Sequence, residues 1–334
     1  MNLLKDVAAR AKVSPATVSR VLNNPENVNP ITRSKVEKAI KDLNFKPSRV
    51  AQRLRTRDGN RKLIGLVVPD IQNPFYVEVV RGVEDKTYAN KYAILMCNFA
   101  QDENKEKLYL DIMRSESVDG LIVAPVNEKD KDVENLVKTG LPIVCVDRSL
   151  SDVEVDVVLV DNEQGAYDAT NYLISLGHTR IAYVGGLPTI PTTTQRKQGY
   201  ERALNENKIK VDNSLIKFGD SKHESGKILT AELLNMKNPP TALFTGNNLI
   251  TLGALETIHS LGLSIPKDIS LLGFDDMPWS ISLNPSLTAV SQPAYEIGKR
   301  AADMLFQRIA EPHQQNVKML LKTKLIVRQS CGKV

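Results

Sequence analysis

The stretch "LKDVAARAKVSPATVSRVLNN" occupies residues 4–24. Its first eight residues place Leu4, Val7, Ala8 and Ala11 on one helical face. A three-residue turn, Lys12-Val13-Ser14, leads to a second helix start. Ser14 can cap it, and Pro15 suits the first helical position, where its missing N–H costs nothing. In that second helix Val18, Val21 and Leu22 would face inward, while Pro15, Ala16, Ser19 and Arg20 would face outward. A short helix with a small polar outer face is what insertion into a major groove requires, because bulk there would hold it off the base edges. Asn29-Pro30 repeats the cap-plus-proline signal. "ITRSKVEKAIKDLNF" (31–45) then continues as an amphipathic third helix through Ile31, Val36, Ile40 and Leu43.

Charge supports a polyanion partner for this head. Residues 1–61 hold 14 Lys/Arg against 5 Asp/Glu, a net +9, whereas the remainder holds 30 against 34, a net −4. A three-helix interaction bundle without nucleic acid is the competing reading, and the charge split disfavours it. Just after the head comes "PSRVAQRLRTRDGN" (47–60), where Arg49, Arg53, Arg55 and Arg57 surround Val50, Ala51 and Leu54 at helical spacing. Such a basic apolar stripe has no evident core to join.

The body is patterned differently. From Leu63 onward, strand-sized apolar runs such as "LIGLVV" (63–68), "AILMCNF" (93–99) and "LPIVCVD" (141–147) alternate with helical stretches. The rhythm restarts near residue 162 with "RIAYVGG" (180–186), "ALFTGN" (242–247) and "ISLLGFDD" (269–276). Alternating strands and helices imply parallel sheets covered on both faces, and the restart implies two similar lobes. The segment "VKMLLKTKLIVRQS" (317–330) reads as a final strand. No apolar run approaches the ~20 residues of a membrane span. Lys5 and Asp6 interrupt any signal-peptide core, and Cys97, Cys145 and Cys331 stand far apart, so a reduced cytoplasmic protein is expected. No metal site and no cofactor are expected. A dinucleotide enzyme needs a glycine-rich turn after a strand, and "VGGLP" (184–188) is a lone glycine pair; no catalytic constellation stands at usable spacing, so the chain is not expected to be an enzyme.

The head, together with "LNFKPSRVAQRLR" (43–55), resembles that of the LacI/GalR (lactose-repressor-type) family of bacterial transcription regulators, and the resemblance covers nearly the whole chain. It implies an all-α helix-turn-helix head (1–46), a hinge helix and linker (47–61), and a periplasmic-binding-protein-like α/β core (62–334). That core would comprise two doubly wound parallel-sheet lobes, about 62–161 with 293–321 and about 162–291 with 324–334. The family pattern puts DNA contacts on Ser14, Pro15, Ala16, Thr17, Ser19, Arg20, Asn23 and Asn29. Arg20 could grip a guanine O6/N7 pair bidentately, and Ala16 could touch a thymine methyl. Lys12 stands where relatives often have Gly or Asn. If left-handed, it costs on the order of 1 kcal/mol. In the hinge, two copies of the segment 48–56, too short for an isolated helix, would fold on the operator. Leu54 would wedge into a base step, Ala51 would allow close approach, and Arg49, Arg53 and Arg55 would neutralise phosphates.

The same resemblance places a ligand between the lobes, with Asn73, Phe75, Tyr76, Asp147, Arg148, Arg196, Asn247, Trp279, Asp275 and Gln292 as its candidate contacts. Carboxylates, guanidinium forks and amides suit a polyhydroxylated ligand, and aromatics could cover a sugar ring. Two departures stand out: Asn248 follows Asn247 where Asp is common, and Ser221 replaces a frequent aromatic. The implied function is a homodimeric repressor that binds operator DNA and is switched by a sugar or sugar derivative. A purine-type corepressor is the alternative, and the sign of the switch is left open.

Overall fold

The computed structural model describes residues 4–23, 25–43, 45 and 62–334, which belong to two compact units, one within residues 1–61 and one over 62–334. The helix expected over 48–56 lies outside the described residues.

In the first unit, α1 (Leu4–Ala11), α2 (Pro15–Asn23) and α3 (Pro30–Asp42) follow their punctuation. Ser14 Oγ accepts from Thr17 N at 3.1 Å and Asn29 Oδ1 from Ile31 N at 2.9 Å, so both helix starts are capped by side chains. Lys12 is left-handed at φ 54°, and the turn is held by Val13 N donating to Ala8 O at 3.0 Å. Val7, Ala8, Ala11, Val18, Val21, Val36, Ala39 and Phe45 form the core. Ile31 does not join it: it is 69% exposed. It sits in the first turn of α3, about 140° around the helix from Val36 and so off the face that Val36 and Ala39 bury.

The second unit contains two six-stranded sheets. The first takes β1 (Leu63–Val68), β2 (Ala93–Asn98), β3 (Gly120–Val123), β4 (Ile143–Val146), β5 (Asp156–Val160) and β11 (Lys318–Leu321), in the order β11-β5-β4-β3-β1-β2. The second takes β6 (Ile181–Gly185), β7 (Ile216–Phe218), β8 (Ala242–Thr245), β9 (Ser270–Phe274), β10 (Thr288–Ser291) and β12 (Lys324–Ile326), in the order β12-β10-β9-β8-β6-β7. Every described pair is parallel except β10–β12. The run 317–330 is thus two short strands in different sheets, split at Lys322-Thr323, and β12 runs against β10 because it returns from the other lobe.

The helices α4 (Pro74–Ala89), α5 (Glu103–Ser115), α6 (Lys131–Lys138) and α11 (Ala294–Ala310) cover the first sheet. The second is covered by α7 (Asn162–Ser175), α8 (Pro191–Glu206), α9 (His223–Leu234) and α10 (Asn248–Ser260). Each sheet is buried on both faces, giving two apolar cores per lobe, as continuous apolar strands require. The chain passes between lobes at Asp161, at Gln292-Pro293 and at Lys322-Thr323. Helix pairing demands glycine at the closest approaches. A Cβ on Gly298 of α11 would lie 2.0 Å from Val79 O of α4, and one on Gly82 would lie 2.1 Å from Tyr295 O. Among the described residues, no helix is long and apolar enough to cross a membrane.

Candidate functional site

On the first unit, Ser14, Pro15, Ala16 and Arg20 are exposed, and Thr17 and Ser19 are half-buried. Together they make one small, polar face of α2, opposite the buried Val18 and Val21. Some of that polarity is already engaged: Ser14 Oγ pairs with Thr17 Oγ1 at 2.9 Å, and the Asn29 carboxamide oxygen caps α3. Asn23 ends α2, but its side chain, with Arg49, Ala51, Arg53, Leu54 and Arg55, lies outside the described residues. What remains is a short basic-tipped helix face with no bulky side chain on it, which matches the width of a major groove.

Between the lobes of the second unit is a cleft walled by the carboxyl ends of the strands. After β1 come Asn73, Phe75 and Tyr76, after β4 Asp147 and Arg148, after β8 Asn247, and after β9 Asp275. Arg196 projects from α8, and Gln292 comes from a crossover. Asp147 and Asp275 occupy equivalent places in the two lobes, each directly after its fourth strand, and both are left-handed, with φ 64° and 76°. Such backbone strain is tolerated by Asp better than by most residues and is held only where surroundings over-determine it.

Each charged group is fixed by buried partners. Tyr76 donates its phenol O–H to Asp147 Oδ2 at 2.8 Å. Arg148 is 3% exposed; its Nη1 donates to Pro125 O at 3.0 Å and Val126 O at 3.1 Å, and its Nε lies 3.4 Å from Asp147 Oδ2. Arg196 donates through Nε to Asn162 Oδ1 at 2.8 Å and through Nη1 to Gly246 O at 2.5 Å, its guanidinium stacked 3.8 Å over the Phe274 ring. Asn247 caps α10 through Ile250 N at 2.8 Å and donates to Ser221 O at 2.9 Å. Gln292 donates to Asp275 Oδ1. Burial pushes the Asp275 carboxyl above its ordinary range, against the pull of Arg196 and Gln292. Burial, reinforced by Asp147, pushes the Tyr76 phenol well above its own. Two carboxylates and two guanidiniums leave the cavity near charge balance. Arg148 Nε and Gln292 Oε1 are buried there with no hydrogen-bond partner among the described residues.

One candidate is not brought to this cavity. Trp279 lies in a 3-10 turn, Pro278–Ser282, that carries it against the apolar core of the second lobe. The turn, invisible in composition, redirects a side chain that sequence places near a strand end. Other wall residues were not singled out: Gln101, Ile190, Thr192 and Thr193. Gln101 is left-handed at φ 61° after β2, and "TIPTTT" (189–194) is a proline-started helix whose first turn faces the cavity. Proximity to a strand end was their one available signal. Two further carboxylates at strand ends serve locally: Asp276 forms a bidentate pair with Arg328, at 2.7 and 2.8 Å, and Asp70 accepts from Gln72 N at 2.9 Å in an Asx turn.

Comparison with known proteins agrees with this geometry. Residues 3–48 match the family described as "Bacterial regulatory proteins, lacI family", and residues 170–331 match a "Periplasmic binding protein-like domain". The chain is 34% identical over 331 residues to the HTH-type transcriptional repressor CytR of Escherichia coli (strain K12), covering 98% of this chain and 95% of that protein. The lac repressor dimer bound to operator and the anti-inducer ONPF superposes with a TM-score of 0.84 at 28% identity, over 98% of each chain. The transcriptional regulator CelR in complex with cellobiose gives a TM-score of 0.75 at 30% identity, over 99% of this chain and 100% of that one. The chain therefore belongs to the lacI family of bacterial regulatory proteins, a DNA-binding transcriptional regulator and not an enzyme.

Proposed function

We propose that the chain is a repressor that binds a pseudo-palindromic operator as a homodimer in the cytoplasm and releases or tightens its grip when a neutral polyhydroxylated ligand, a sugar or sugar derivative, enters the cavity between the lobes. The observation that carries the ligand class is the cavity's own balance. Asp147 and Asp275 offset Arg148 and Arg196, so a net-charged ligand would leave a buried charge uncompensated, whereas hydroxyls can both donate and accept. Gln292 Oε1, a buried acceptor with no hydrogen-bond partner among the described residues, suits the same chemistry. The cellobiose complex of CelR supports a sugar by likeness.

Ser14, Pro15, Ala16, Thr17, Ser19, Arg20, Asn23 and Asn29 are proposed to meet DNA. Dimerisation follows from geometry, since one nine-residue helix reads too few bases for useful specificity. Apolar side chains left exposed on the second unit, among them Val77 at 44% and Met96 at 43%, with Ile228 at 53% and Leu252 at 42%, suit a self-association surface. The lac repressor dimer on operator supports both by likeness. The test is a thermal-shift screen of the purified chain over sugars, sugar acids and purines, followed by operator titration with each hit. A ligand that binds the folded state alone raises the melting temperature. A neutral sugar that stabilises the chain and shifts operator affinity is expected; a response confined to purines or sugar phosphates would overturn the ligand class.

A further inference from the structure

Asn248 is the first residue of α10, 1% exposed, and belongs to the second lobe. Its Nδ2 donates to Asn73 Oδ1 of the first lobe at 2.7 Å. This bond joins the lobes across the cleft, apart from the three places where the backbone crosses. The direction of donation is fixed by chemistry on both sides. Asn73 Oδ1 already accepts from Phe75 N at 2.9 Å as the cap of α4, so the oxygen, not the amide nitrogen, must face Asn248. On its other side, Asn248 Nδ2 lies 3.4 Å from Asp275 Oδ2 and 3.6 Å from Met277 Sδ. The position is therefore surrounded by acceptors. A carboxylate there would face the Asn73 oxygen and a buried carboxylate at once.

We propose that Asn248 is a positioning residue of the switch: its amide latches the two lobes in the closed arrangement and so sets the balance between closed and open forms. The inference rests on the ligand-switched reading of the cleft, since it names how that site's closure is regulated. A ligand held by both lobes binds the closed form better, so its apparent affinity scales with the closed fraction. Losing the latch therefore weakens ligand binding although Asn248 itself does not line the cavity.

The test compares the wild-type chain with Asn248→Asp, Asn248→Ala and Asn73→Asp. Asn73→Asp keeps both the α4 cap and an acceptor for Asn248, so it retains the latch. Spin labels at Lys107→Cys in the first lobe and Lys237→Cys in the second, with Cys97 and Cys331 replaced by serine, report the inter-lobe distance. Each labelled subunit is diluted into excess unlabelled protein. Without ligand, Asn248→Asp should shift the distance distribution away from wild type, Asn248→Ala should shift it in the same direction but less, and Asn73→Asp should coincide with wild type. The affinity for the best sugar of the screen should fall about tenfold in Asn248→Asp. Cooperative thermal unfolding of each variant separates a lost latch from a lost fold. Distances for Asn248→Asp and Asn248→Ala that superpose on wild type, or an Asn73→Asp shift as large as theirs, would overturn the proposal. A distance shift in a chain that answers to no sugar would uphold the latch and count against the sugar reading alone.

Discussion

Replacing Arg196 by Met keeps the length of the side chain and removes its charge. The structure sets what is lost. Two charged hydrogen bonds disappear, to Asn162 Oδ1 and to Gly246 O, each worth ~1.5–3 kcal/mol. Stacking on Phe274 at 3.8 Å adds about 2 kcal/mol for a desolvated cation over a ring. Against this, the desolvation cost of the guanidinium vanishes, and breaking a buried charged network nets ~3–5 kcal/mol of destabilisation. For a unit of this size, 3 kcal/mol corresponds to roughly 6–12 °C in Tm. The two bonds use Nε and Nη1, leaving Nη2 for a ligand, so sugar affinity should fall by ~100-fold or more, about 2.7 kcal/mol. Arg196→Lys keeps the charge but not the planar fork and should fall between. Calorimetric titration of folded variants measures this directly. An Arg196→Met chain that stays folded and binds the sugar within about threefold of wild type would refute the role assigned to Arg196.

Burial and the neighbouring Asp130 carboxylate push Glu106 up to about 9, and Glu106 Oε1 accepts from Val126 N at 3.1 Å. The folded chain then holds a proton that the unfolded chain releases near its ordinary value of 4.5, so this contribution to stability is full below pH 4.5 and lost as pH rises towards 9. Glu106→Gln should flatten that slope in urea titrations between pH 5 and 9; an unchanged slope would mean that Glu106 is ionised in the fold. Gly298→Ala must push α11 about 1 Å off α4, and the lost packing, ~3 kcal/mol, exceeds the ~1 kcal/mol gained in helix propensity; a variant as stable as wild type in denaturant would contradict the close crossing. Arg20→Ala should cost ~1–3 kcal/mol in operator affinity and relax sequence preference at one position. From sequence alone, Leu54→Ala should weaken operator binding and reduce DNA bending in gel-shift assays, whereas a plain basic linker would leave both unchanged.

The first unit was legible because its information is local. Ser14-Pro15 and Asn29-Pro30 punctuate the chain within a residue of where the helices begin, and a cap acts on donors two or three residues away. Ile31 stays outside the core because it lies about 140° around α3 from Val36 at about 100° per residue, off the buried face. In the second unit, the alternation of apolar strands and helices exposed the two lobes, and Asp147 and Asp275 could be found because each directly follows an apolar run. Trp279, Thr192 and Gln101 could not be placed from sequence, since their direction depends on a 3-10 turn, a helix start and a left-handed residue. The division of 317–330 between the lobes is carried by the bounds that the family resemblance implies, 293–321 and 324–334, and not by its apolar pattern. Its alternating apolar residues satisfy one long strand as well as two short ones.

The central claim is that a ligand held between the lobes changes the grip on DNA. Fluorescence anisotropy of a labelled operator fragment, titrated with the full chain at fixed salt, measures it in a single experiment with and without the best sugar of the thermal screen. Fixed salt matters because phosphate contacts make affinity depend steeply on counterions. The expected result is a change in operator Kd of at least about fivefold, as a coupling of ~1 kcal/mol or more gives, abolished in Arg196→Met. A sugar that binds the cavity tightly while operator affinity stays the same would contradict the claim.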